Sequence, residues 1–268
     1  MRARSAVFDL YGDHLTEFGS WAPISSVVTL LGSCGIRPAA TRTAVSRMVT
    51  QDWLAPARRN GVRGYLATPA ATARLAAAHQ RIYRPVEVPW DGRWRVIVLD
   101  RAGDRAQRDR VAATLGYLGY GRLAAQTWVA AHPNPELESA LGPLGVGWQS
   151  FAADHLGEPA TLAAQAWDLT DLAARYHGFL DRYAELVAGG RADLTPEEAY
   201  PIRAELVHRW RSFLFIDPEL PAGVLPQGWP GNAARALFLE AAETLRPAAR
   251  TFVSDTLALA GAPLTGAE

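Results

Sequence analysis

Pro38-Ala-Ala-Thr-Arg-Thr-Ala-Val-Ser-Arg-Met-Val-Thr-Gln-Asp-Trp-Leu54 is the stretch from which the rest of the chain can be read. Proline suits a first helical position, where its missing N–H would have no partner in any case. At the helical repeat, Thr41, Ala44, Val45 and Met48 fall on one side. Thr43, Ser46, Arg47 and Thr50 fall on the other, with Arg42 on the flank. One side can pack on a small domain. The other offers hydroxyl and guanidinium groups suited to phosphates and base edges. Taken alone, the pattern also fits a solvated amphipathic helix, so the neighbouring sequence decides.

Upstream, Arg4 to Tyr11 carries Ala6, Val7, Leu10 and Tyr11 at helical spacing, and Gly12-Asp13 reads as its breaker. A second helix is expected from Pro23, with Ile24, Val27, Val28 and Leu31 on one face. Gly32-Ser-Cys-Gly35 supplies a tight turn before Pro38. Downstream, Asn60-Gly61 is a strong two-residue hairpin signal. Arg58, Arg59 and Arg63 flank it, and Tyr65-Leu66-Ala67 reads as the returning strand. Helix, glycine turn, helix and basic hairpin together give the pattern of a winged helix-turn-helix. Arginines near a wing tip would follow a phosphate backbone or reach into the minor groove. A charged surface hairpin is the plainer reading of the same residues. Charge favours the nucleic-acid reading. Residues 1–84 hold 11 Arg against 4 Asp and Glu, and the remainder holds 16 against 23, although the whole chain is neutral.

The chain has 268 residues, 49% of them hydrophobic, enough for two or three domains with a sizeable core. The single cysteine, Cys34, excludes an intrachain disulfide and a zinc-thiolate cluster. No apolar run reaches the ~18 residues that span a bilayer. The N-terminus meets Asp9 too early for a signal peptide. A soluble cytoplasmic protein is therefore expected; as separate expectations, it has no cofactor and no enzymatic role.

Alanine-rich residues 69–84, closed by Pro85 and Pro89, read as a linker helix. Beyond it, Arg95 to Asp100 is a short strand and Arg105 to Leu118 a charged helix with Val111, Leu115 and Leu118 on one face. Leu123 to Ala131 reads as a second strand, Glu136 to Leu141 as a short helix and Gly147 to Phe151 as a third strand. The alternation suggests a small ferredoxin-like α+β unit. Asp100, at a strand end, is the one candidate for a metal-dependent phosphodiesterase site, which needs further converging acids.

In the C-terminal part, Asp171 to Val187 is helical, with Leu172, Tyr176, Phe179, Leu180 and Tyr183 along one face, and Gly189-Gly190 follows as a linker. Thr195-Pro-Glu-Glu198 has the order of a capping box, with Pro196 at the first helical position, and the helix it opens runs from Pro201 towards Phe215. A last helical stretch, Asn232 to Leu259, should kink or split at Pro247, and residues 260–268 should fray. His208, Trp210, Arg211, Asp217 and Trp229 are the side chains expected to converge. His208 and Arg211 would meet an anionic ligand while Trp210 and Trp229 stack on its aromatic part. Alternatively they tie the helix to the proline-locked loop Leu225-Pro-Gln-Gly-Trp-Pro-Gly231, with Arg211 or His208 paired to Asp217. No Gly-x-Ser-x-Gly occurs, which discounts a hydrolase.

Five stretches carry a family resemblance: Phe8-Asp-Leu-Tyr-Gly-Asp13; Thr43-Ala-Val-Ser-Arg47 with Asp52-Trp-Leu54; Trp90-Asp-Gly-Arg-Trp94; Asp217-Pro-Glu-Leu-Pro221; and Gly228-Trp-Pro-Gly231. In that order the chain resembles the PaaX family of bacterial transcriptional regulators, whose best-known member represses phenylacetic acid degradation. The resemblance implies a winged-helix domain (residues 1–68), a linker helix (69–87), a ferredoxin-fold domain like the small CRISPR-associated nucleases (88–168) and a helical C-terminal domain (169–268). It also implies a homodimer on a palindromic operator, released by an aryl-CoA thioester such as phenylacetyl-CoA. Thr43, Ser46 and Arg47 would then face bases, and Arg42, Arg58, Arg59 and Arg63 mainly phosphates. A metal-dependent nuclease with a DNA-binding arm, resting on Asp100, is the alternative, and a structural DNA-binding protein without effector is a third reading.

Overall fold

The computed structural model describes residues 1–84, 89–100, 103–187 and 194–261. The end of the expected linker helix (85–87), the Gly189-Gly190 linker and residues 262–268 lie outside the described residues. The chain divides into two compact units. The first gathers residues 1–84, 181–211 and 235–268, and the second residues 85–180 and 212–234.

In the first unit, α1 (Ala3–Asp9) continues into a π-helical turn, Leu10–His14. Gly12-Asp13 therefore does not break the helix, contrary to the expectation from sequence. A Cβ at Gly12 would come 3.1 Å from a Leu75 methyl carbon, so this glycine admits a close neighbour. The Asp13 carboxylate is satisfied inside the fold by Arg203 and Tyr83. A three-residue strand, β1 (Trp21–Pro23), was not foreseen, because three buried residues show no alternation. Next come α2 (Ile24–Ser33), α3 (Pro38–Thr50), β2 (Leu54–Arg59), β3 (Val62–Ala67) and α4 (Pro69–Ile82). The strands form an antiparallel sheet of order β1-β3-β2. Gly64 makes that order possible, since a Cβ there would lie 2.6 Å from the Ala22 carbonyl oxygen and 2.5 Å from the Trp21 ring.

The buried face of α2 is Ser26, Val27, Leu30 and Leu31, rotated from the expected face. The reason is tertiary. Ser26 Oγ donates to the Thr256 carbonyl at 3.1 Å, so a polar residue can turn inward. Thr256 belongs to α10 (Gly231–Leu259), whose Ala249, Val253 and Leu257 join Val7, Leu15, Trp21, Val27, Leu30 and Val45 in one core.

In the second unit, β4 (Trp94–Leu99), α5 (Arg105–Tyr117), β5 (Gly121–Arg122), β6 (Thr127–Ala130), α6 (Leu137–Leu141) and β7 (Trp148–Ala153) form an α+β arrangement. The antiparallel sheet has the order β5-β6-β4-β7. The second strand, expected over Leu123 to Ala131, is confined to β6, because residues 123–126 form the turn that joins it to β5. Ile97, Leu99 and Trp128 face Val111 and Leu115 of α5. Trp94 and Val129, on the other face, meet Leu162 and Ala163 of α7 (Pro159–Ala166), with Leu169, Leu220 and Val224.

Three long helices, α8 (Leu169–Val187), α9 (Pro196–Phe213) and α10, contribute residues to both units. The capping box is present, with the Thr195 N–H donating to Glu198 Oε2 at 3.0 Å. Helix α9 begins at Pro196, the position expected to open it, and includes Pro201 in its interior; α10 is one helix through Pro247, so it is not split there. An interior proline costs about 3 kcal/mol, but buried residues flank each one: Tyr200 and Ala204, and Leu245 and Ala249. Their burial holds the helix continuous. No helix among the described residues is long and apolar enough to cross a membrane.

Candidate nucleic-acid interface

Helix α3 starts at Pro38, with Arg37 at its N-cap, and follows α2 through a short turn in which Gly35 has φ +77°. Thr41, Ala44, Val45 and Met48 are its buried residues, the side that the spacing assigns to the core. Arg42, Thr43, Ser46, Arg47 and Thr50 are all exposed. Thr43 Oγ1 donates to the Ala39 carbonyl at 2.9 Å and Thr50 Oγ1 to Ser46 at 3.2 Å, fixing both hydroxyls against the helix. Among the described residues neither Arg42 nor Arg47 has an acidic partner. Exposed Arg37 adds a guanidinium at the N-terminal end that the helical pattern missed, because it lies just outside the helix.

The β2–β3 hairpin turns at Asn60 (φ +48°) and Gly61 (φ +80°), the two positive values of a type I′ turn. Arg58 and Arg63 are Cα partners across it, and both are exposed. Arg58 Nη1 reaches the Gly61 carbonyl at 3.4 Å. Arg59 behaves differently. Its guanidinium donates to the carbonyls of Phe18 (3.4 Å) and Gly19 (3.1 Å) and lies 5.5 Å from the Trp21 ring centroid. One strand thus presents one arginine outward and turns the next into the fold, as strand alternation requires.

The C-terminal candidates occupy other places. His208 Nδ1 lies 2.8 Å from Asp9 Oδ2, and Arg211 Nε lies 2.7 Å from Asp9 Oδ1. The Arg211 guanidinium also sits over the Phe8 ring at 4.9 Å. Trp210 stacks on Phe238 with ring centroids 4.9 Å apart and donates to the Ile82 carbonyl at 3.1 Å. The cavity beside Arg211 holds about 10 Å³, the room of one water. These three residues therefore have internal partners in the first unit. Trp229 belongs to the second unit, edge-on to Tyr176 at 6.1 Å, and Tyr176 donates to Asp217.

A polar node missed from sequence lies beneath these helices. The side chains of Arg203 and Asp13 are each 6% exposed and form an ion pair. Arg203 also donates to Tyr83 Oη (3.0 Å) and to the Ala242 carbonyl (3.1 Å). Burial lowers the Arg203 pKa to about 10. Burial likewise brings His14 down to about 4, against the weaker opposing pull of Asp9 and Glu17. The only advance signal was a pair of acids on a short helix rich in apolar residues.

Asp100 is exposed; its N–H donates to the Gly147 carbonyl at 2.7 Å. Among the described residues no group of three His, Cys, Asp or Glu side chains is arranged to hold a metal ion.

This geometry can be set beside known proteins. The transcriptional repressor PaaX of Escherichia coli (strain K12) is 31% identical over 265 residues, covering 94% of this chain and 83% of that protein. The chain belongs to the PaaX family. Three PaaX family models match it in order: the PaaX-like protein over residues 2–68, the central Cas2-like domain over 87–163 and the PaaX-like C-terminal domain over 167–255. The first PaaX match contains α3, the hairpin and every arginine described on them. A solved structure, the uncharacterized protein Rv0674 from Mycobacterium tuberculosis, is also similar, with a TM-score of 0.61 and 25% identity over 94% of this chain and 98% of that one.

Proposed function

We propose that this PaaX family member is a DNA-binding transcriptional repressor whose residues 1–68 act as a winged helix-turn-helix. The observation that carries the reading is the division of α3, with Thr41, Ala44, Val45 and Met48 buried and Arg42, Thr43, Ser46 and Arg47 exposed beside a hairpin bearing Arg58 and Arg63. A recognition helix enters the major groove with its N-terminal residues at the base edges. Thr43, Ser46 and Arg47 read bases in this arrangement, Arg47 as a bidentate donor to guanine. Arg42, Arg58 and Arg63 neutralise phosphates. Arg59, assigned to phosphate on sequence grounds, acts mainly as an internal tie.

The finer reading keeps the three segments as modules, with 88–168 ferredoxin-like and 169–268 helical. The repressor works in the cytoplasm as a homodimer on a palindromic operator, with half-sites about 34 Å apart or a multiple of that. It controls an aromatic-acid catabolic operon and is released by an aryl-CoA thioester. Such an effector acts only by preferring the arrangement that does not bind DNA.

The test is fluorescence anisotropy with DNA from upstream of the protein's own gene, in rising salt, for the wild type and Arg47→Ala. Loss of a bidentate base contact costs about 1–3 kcal/mol, roughly five- to 150-fold in discrimination against unrelated DNA. Unchanged affinity and discrimination would refute the base-reading role. Phenylacetyl-CoA in the same titration should release the DNA. No change in DNA affinity or melting temperature would remove that effector class.

A further inference from the structure

On the α5 face of the second unit's sheet lies a cavity of about 400 Å³, bounded by α5, the end of β4 and the β5–β6 hairpin. Its size is that of a site for a compact organic ligand. Leu99, Val111 and Trp128 supply apolar wall, and Arg108 and Arg122 supply charge. Trp128 is 6% exposed, and its indole Nε1 has no hydrogen-bond partner among the described residues. The ring contributes a rigid, flat apolar surface to the cavity wall.

The arginines have donors to spare. Arg122 Nε and Nη2 bond the carbonyls of Ala124 (3.3 Å) and Ala125 (3.2 Å), which holds its guanidinium 5.9 Å from the Trp128 ring centroid. Arg108 Nη1 bonds the Gly103 carbonyl at 3.0 Å. A guanidinium has five N–H groups, so each keeps at least three for a ligand. Two acids, Asp100 and Asp109, also line the cavity. Their negative charge disfavours a polyanion and leaves room for a single carboxylate on the arginines.

We propose that this cavity binds a compact monocarboxylate with an aromatic or similarly flat apolar body. The carboxylate meets Arg108 and Arg122, and the apolar body lies against Leu99, Val111 and the ring of Trp128. This site is separate from that of the proposed aryl-CoA effector, a polyanion without a free acyl carboxylate, and it rests on the repressor reading only for any consequence at DNA.

The experiment uses the full chain without DNA, titrated with benzoate, phenylacetate and, as a charge-only control, inorganic phosphate. Isothermal calorimetry measures affinity. The ¹⁵N-indole spectrum reports Trp128, identified as the signal missing from Trp128→Phe. Saturable binding of an aromatic carboxylate that moves the Trp128 signal, ignores phosphate and weakens about ten-fold or more in Arg108→Gln supports the site. Arg108 is exposed, so this variant should fold even if Trp128→Phe does not. No binding of either carboxylate overturns the proposal, as does binding indifferent to Arg108→Gln or without movement of the Trp128 signal. Because no DNA is present, failure of the repressor reading would leave this result standing.

Discussion

Arg58 and Arg63 stand directly opposite each other across the β2–β3 hairpin, both exposed. Like charges facing each other on a sheet are destabilising, by up to about 1 kcal/mol. A polyanion laid along the hairpin removes that repulsion. Arg58→Gln should therefore leave the melting temperature unchanged or slightly raised while weakening DNA binding. The measurement is the slope of log affinity against log salt, which should become shallower by about one for the lost phosphate contact. An unchanged slope would place the Arg58 side chain off the DNA.

Arg59 should give the opposite result. It bonds the Phe18 and Gly19 carbonyls and covers Trp21. Arg59→Gln removes those contacts and should cost about 1–2 kcal/mol of stability. Thermal unfolding should show a fall of a few degrees, with the salt slope near the wild-type value. A shallower slope at full stability would return Arg59 to the phosphate backbone.

The Arg203–Asp13 pair is nearly sealed, and breaking one side leaves a buried charge alone. Arg203→Met should cost about 3–5 kcal/mol in urea unfolding. The double variant Asp13→Asn with Arg203→Met should regain part of that loss. If the double variant were as unstable as the sum of the singles, the pair would not be coupled.

His14 gives a pH dependence with a definite sign. Burial lowers its folded pKa from 6.5 to about 4. Above pH 6.5 the ring is neutral in both states and stability is complete. As the pH falls from 6.5 towards about 4, the unfolded chain takes up a proton that the folded chain refuses, so stability is lost; below about 4 the loss grows no further. His14→Gln removes this titration, so its deficit relative to wild type should narrow across that window. Parallel stability curves for the two proteins would show that His14 does not titrate this way.

Much of this molecule could be read before any coordinates. Helix α3 was legible because its burial follows a 3.6-residue period, and the hairpin because Asn60-Gly61 is one of few dipeptides that accept two positive φ values. The missed elements lacked such local marks. β1 is too short to alternate, and the turn between β5 and β6 occupies residues that read as the start of a strand. Gly12 looked like a stop because glycine favours helix ends. Here it admits Leu75, and Asp13 finds its partners 70 and 190 residues away.

By itself the sequence determined the periodic elements, the basic N-terminal charge and the two faces of α3, because propensity, turn chemistry and side-chain spacing are local. Only the tertiary structure decided which arginine of the hairpin faces outward, that helices α9 and α10 run through Pro201 and Pro247, and that Trp128 lines a cavity with its N–H unpaired. Those outcomes depend on burial and on partners remote in the chain, whose energies of a few kcal/mol outweigh the local preferences they oppose.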